Sequence, residues 1–271
     1  MKYIRINKFL NINSEELDKK GIHNGFLLSD SCFYVDPEKL LKCNIPEFKN
    51  FSKILQDRMK HVLSLLKNSK EKNDLCWKAA YKLFTFTEPK FVALGLGVGT
   101  IEGKGLSGKA ADDCLKKMKI LVDNGYDNSE IIYALSVFND NIGTDKTSDL
   151  ICNLLEENIL LFTKRVLNEL GVDCKEKYIL YKDSKPIELE VMYRNREDCI
   201  PLALLPKEIL SPIPRIVSIE DISLAIEKND RCKRYLLSEL DVSIKDFCKK
   251  SSKDELFDLC LKYNLIDKAI N

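Results

Sequence analysis

Histidine and tryptophan are scarce in this chain: His23, His61 and Trp77 are all that 271 residues contain. A histidine-built metal centre or a Ser-His-Asp arrangement has little to draw on. Close cysteine pairs are missing too. The ten cysteines stand singly, the nearest two being Cys32 and Cys43, so no CxxC zinc or redox pair exists. Zinc and haem are therefore not expected. Isolated cysteines such as Cys114, Cys152 and Cys260 fall inside helical patterns, where a reduced thiol serves as a small hydrophobe, and they point to a cytoplasmic protein. A dominant charge sign is absent as well. Lys+Arg is 43 and Asp+Glu is 42, a net +1, so no global field draws the chain to nucleic acid or membrane. No apolar run approaches the ~20 residues that cross a bilayer. The opening MKYIRINKFLNINSEELDKK has neither an apolar h-region nor a small-residue cleavage site, so no secretory signal is expected.

What is present is 45% hydrophobic content, enough for a sizeable core, patterned mainly at helical spacing. The expected fold is α+β and predominantly helical: a small antiparallel sheet, a central helical bundle and a helical C-terminal tail. Strands are expected at 2–10, within 26–35, and as a meander at 177–182, 187–193 and 199–205. Helices are expected to start at Ser14 and after Asp36-Pro37. Others should run over 46–68, 75–86, 108–123, 129–138, 146–169, 219–240 and 252–262, with Gly171 as a C-terminal cap. The chain reads as a single domain, 1–271, with sub-regions 1–74, 75–172, 173–215 and 216–271 and no internal repeat.

Two stretches concentrate residues that carry chemistry. Gly103-Lys104-Gly105-Leu106-Ser107-Gly108-Lys109-Ala110 fits G-x-x-x-x-G-K ahead of a helix. In such a loop backbone N–H groups converge on phosphate while lysine and the helix dipole add charge. Gly103, Gly105, Ser107, Gly108 and Lys109 are the phosphate-binding candidates. Ala110 replaces the magnesium-binding Ser/Thr, and no second nucleotide motif follows, so a nucleotide cofactor is not expected. Ser107 can instead cap the helix, with the glycines forming only a turn. The second stretch, Asn139 to Asp149, brings Asp140, Asp145 and Asp149 onto a turn and the helix it opens. Asp145 and Asp149 share a helix face, and Cys152 and Glu156 continue the stripe. Such acids can hold Mg²⁺ or Mn²⁺ to activate water and polarise a phosphodiester, with Lys104 or Lys109 offsetting charge on phosphate. Acids in a first helical turn also simply favour the dipole. A further acidic set, Asp183, Glu188 and Glu190, lacks the acid-x-Lys spacing of many nucleases and reads as outward strand positions.

The run Ile142-Gly143-Thr144-Asp145-Lys146-Thr147-Ser148-Asp149 resembles an IG-x-D-x-x-SD element of uncharacterised bacterial proteins in which a similar glycine-rich segment comes first. Pro201 to Leu210 resembles a later strand-to-helix segment of the same group. The resemblance spans roughly residues 75–240. It implies a bacterial or mobile-element protein, with a link to antiviral, phage-defence systems. Two functions are therefore expected. One is a metal-dependent phosphodiesterase or nuclease with Asp145, Asp149 and Lys104 catalytic and Asp140, Asp145 and Asp149 on the metal. The other is a non-catalytic subunit binding nucleic acid or protein in a larger complex, with Lys228–Arg234 among its contact surfaces. No membrane partner is expected.

Overall fold

A computed structural model of the chain describes residues 4–95, 105–126, 143–182, 185–212 and 252–263. The fold is α+β and mostly helical, as expected. The chain passes back and forth between two compact units. The first holds 1–55, 86–107 and 148–213, and the second holds 56–85, 108–147 and 214–271. The sub-regions read from composition cut across both units, because each unit is assembled from segments distant in sequence.

In the first unit, α1 (Ile6–Phe9) replaces the strand expected at 2–10. Apolar and polar residues alternate there, but Ile6 and Leu10 are the pair that is buried, four apart, and Asn7 is fixed by hydrogen bonds with Asn24. Asn13 caps α2 (Ser14–Lys19), and Asp36 caps α3 (Pro37–Lys42), which has proline at its first position. Of the strands expected within 26–35 only β1 (Phe33–Val35) forms, paired with β6 (Leu210–Pro212). The long helix expected from Pro46 starts later: a 3₁₀ turn at Pro46–Phe48 precedes α4 (Phe51–Asn68).

The meander is also only partly as expected. β2 (Glu176–Lys182) and β3 (Lys185–Val191) form a long antiparallel hairpin. β4 (Tyr193–Asn195) and β5 (Ile200–Pro201) make a separate short pair, and Leu202–Leu205 is buried without being a strand. Arg194 on β4 is buried, and its guanidinium donates to the carbonyls of Lys90, Phe91 and Phe26. Burial pulls its pKa down to about 10, so it stays charged at neutral pH.

The helix expected over 146–169 is two helices, α7 (Thr144–Leu154) and α8 (Glu156–Glu169), broken at Leu155. Gly171 closes α8 with φ +71, and its N–H donates to Asn168. Phe162 of α8 meets Phe48 at 5.4 Å, and the Thr163 hydroxyl donates to Ile159 while accepting the N–H of Leu204. The second unit packs α5 (Leu75–Phe84) against α6 (Gly108–Asp123), with Trp77, Leu115 and Met118 buried. Asp74 caps α5, and the Trp77 N–H foremost among its donors holds its carboxyl down to about 2. α9 (Lys253–Lys262) buries Leu256 and Leu259. The helices expected at 129–138 and 219–240 lie outside the described residues.

His23 sits in the segment that joins α2 to β1. Its N–H donates to Leu205, and its ring meets Phe33 at 4.9 Å. Burial first, then the charges of Lys207 and Arg5, push the imidazole down to about 4. The folded pKa lies below the ordinary 6.5, so the unfolded chain takes up the proton first as pH falls. This group's contribution is complete above pH ~6.5 and is lost on the way down to about 4. Urea unfolding from pH 7.5 to 4 checks this against His23→Gln. The stability gap between wild type and variant narrows across that window, whereas carboxylate effects are common to both.

Candidate functional site

The glycine-rich loop is described from Gly105 onward; Gly103 and Lys104 lie outside the described residues. Leu106 pairs with Phe86 through two backbone hydrogen bonds, which brings Gly105 against the strap Phe86–Glu88. Gly105 has φ +54, and a Cβ built there would overlap the Phe86 carbonyl oxygen. Its N–H donates to the Glu88 carboxylate at 3.1 Å. An acceptor from the chain itself thus occupies one amide that the phosphate reading assigns to a ligand. Gly108 opens α6, and its N–H donates to the Tyr81 hydroxyl at 2.7 Å. Ser107, Gly108 and Lys109 are exposed.

α7 carries Asp145 and Asp149 four residues apart, as expected from their spacing. Asp149 is buried at 3% exposure, as is Cys152 at 0%, so this part of the stripe faces the interior while Asp145 is half-buried. Ser148 accepts the N–H of Val35 at 2.9 Å, which anchors the helix. Glu156 does not continue the row. It follows the break at Leu155, and its carboxylate accepts from the Tyr178 hydroxyl at 2.8 Å. Burial raises the Glu156 pKa, and the tyrosine bond partly opposes that. Asn153, one turn beyond Asp149, donates to the carbonyls of Asp149 and Thr87. The strap Phe86–Glu88 therefore touches the loop at Gly105 and α7 at Asn153. Asp140 and the Lys228–Arg234 run lie outside the described residues, as does Asp183 of the second acidic set. Among the described residues no three His, Cys, Asp or Glu side chains come together as a metal site.

Glu188 and Glu190 point outward from β3, as expected of alternate strand positions, and pair with Lys177 and Lys164. The same alternation has an apolar counterpart that the acids hid. The inner face of the hairpin closes on Leu160 of α8 through Leu189 and Val191. Its outer face presents Ile179 and Tyr181, 52% and 70% exposed, with Pro186 opposite Tyr181 in register. The signal was in KYILYK: its apolar residues are continuous, so one face of a two-stranded hairpin cannot bury them all.

Gly105→Ala tests the strap contact. The substitution forces a Cβ into backbone at positive φ and is expected to cost about 2 kcal/mol or more in urea unfolding. Gly21→Ala is the control. Its φ is +66 but nothing lies within 4 Å of the added Cβ, so only the backbone cost of about 1 kcal/mol applies.

Among the described residues no helix is long and apolar enough to cross a membrane. No curated protein and no solved structure matches the chain. One family does: residues 11–217, more than half of the sequence, match the family described as "Domain of unknown function (DUF8370)". The chain belongs to that family.

Proposed function

We propose that the protein is a non-catalytic subunit that docks on a protein partner through the outer face of the β2–β3 hairpin. One observation carries this reading: Ile179 and Tyr181 stand exposed together on the face opposite the packed one. Leaving such side chains in water forgoes roughly 1.5–3 kcal/mol each, which a partner recovers. Two ion pairs flank the patch, Lys177 with Glu188 and Lys164 with Glu190. An apolar centre with a polar rim is the anatomy of a protein interface. Nucleic acid would call for cations left over to neutralise phosphate.

The test places a photo-crosslinking residue at position 181 in cells, with position 75 as control. Leu75 is 86% exposed but isolated. A protein captured from 181 and not from 75 is then purified. Its affinity for the Ile179→Ser/Tyr181→Ser variant is expected to fall at least about tenfold. Equal capture at both positions, or unchanged affinity, rejects the reading, and capture of nucleic acid alone replaces it with the other binding class.

A second reading, a metal-dependent phosphodiesterase or nuclease, is favoured by the strap that links Gly105 to the helix turn of Asp149. In it Asp140, Asp145 and Asp149 hold Mg²⁺ or Mn²⁺, which lowers the pKa of a bound water, and Lys104 offsets charge on the phosphate. Calorimetric titration with Mn²⁺ decides. Wild type binds the ion and Asp145→Asn/Asp149→Asn, folded by circular dichroism, loses at least about tenfold in affinity; equal behaviour of the two removes this reading.

A further inference from the structure

A cleft of about 490 Å³ lies in the first unit, between the end of α2, the face of α8 and the 3₁₀ turn Lys207–Ile209. Its floor is apolar, built from Ile22, Phe162 and Val166, all buried. Three cations line it, Lys20, Arg165 and Lys207, against two acids, Glu169 and Glu208. An apolar floor with a few converging polar groups in this volume range is what small-molecule sites look like.

The charged groups have unequal capacity left. Arg165 gives Nε and Nη2 to Glu47 and Nη1 to Glu169, so its planar edge is taken. The Glu208 carboxylate accepts from the Cys43 thiol at 3.0 Å. Lys20 and Lys207 each spend one ammonium hydrogen, on Glu169 and on Asp18, both at 2.7 Å. Among the described residues each keeps two hydrogens for a further acceptor. The two lysines are brought to one wall because the Lys207 N–H donates to the Gly21 carbonyl, next to Lys20. Gly21 has open space where a side chain would stand.

We propose that this cleft binds a small organic anion whose apolar body lies on Ile22, Phe162 and Val166 and whose acid group bridges the ammonium groups of Lys20 and Lys207. The site is independent of the docking reading. Ammonium groups act as point charges, so carboxylate and phosphate monoester share the chemistry that is recognised. Titrations with 4-phenylbutyrate and with phenyl phosphate separate the two sources. The full chain is titrated by calorimetry, with amide NMR shifts at Gly21 and Lys207 reporting location.

At least one anion is expected to bind with shifts at both amides. The neutral 4-phenylbutanamide and the cationic 4-phenylbutylamine are expected to bind at least about tenfold more weakly. Lys20→Ala/Lys207→Ala removes only exposed ion pairs, so the fold holds, and it weakens anion binding at least about tenfold. Failure of both anions to bind at about 10 mM overturns the assignment, as does equal binding of the amine or undiminished affinity in the double variant.

Discussion

A buried guanidinium holds the first unit together. Arg194 offers its donors to carbonyls from two segments far from it in sequence, Phe26 near the N-terminus and Lys90 and Phe91 just beyond the strap. Hydrogen bonds to a charged group contribute about 1.5–3 kcal/mol each, and removing the cation would strand the buried Phe91 carbonyl. Backbone carbonyls take its hydrogen bonds, and the Asp30 carboxylate adds a favourable charge that partly opposes the cost of burial. The strap then has a defined path: Ala93 accepts the N–H of Ser31, Gly95 donates to the Ser31 carbonyl, and Phe86 pairs with Leu106. The contacts that Gly105 makes with Glu88 and Asn153 makes with Thr87 depend on that path.

α8 distributes the rest. Leu160 faces the hairpin, Phe162 meets Phe48, Thr163 holds the buried segment at Leu204, and Arg165 reaches Glu47. Successive residues of one helix thus serve the hairpin, the core, a buried non-regular segment and the cleft. The short break at Leu155 separates α8 from α7. Both the hairpin and the anion cleft therefore rest on one element, whose Ile159, Leu160, Phe162, Thr163, Val166 and Leu167 are buried.

Local chemistry was legible and long-range pairing was not. α6 begins at Gly108 and ends at Asp123 where periodicity put it, and Asp36-Pro37 and Gly171 mark helix ends because capping is settled within a few residues. The N-terminal alternation misled because short apolar runs fit strand and helix alike, and only the Asn7–Asn24 bonds decide between them. The break at Leu155 has no glycine or proline to announce it. In the glycine-rich loop the residues suited to phosphate were readable, but Glu88, which takes the Gly105 amide, lies 17 residues away. The cleft draws on four separate stretches of chain, and its charge pattern exists only after Lys207 has docked beside Gly21.

The β2–β3 hairpin closes on its own small cluster, with Leu160 as the single buried residue contributed by α8. Among the described residues its outer side carries no counterpart to that cluster, and Ile179 and Tyr181 stand exposed there. A segment held that way is a cooperative unit of its own, able to open while the Arg194 framework stays shut. Its ordering is then a separate free-energy step, which a bound partner can complete and which amide exchange would reveal as earlier deuterium uptake at Ile179 than at Leu160.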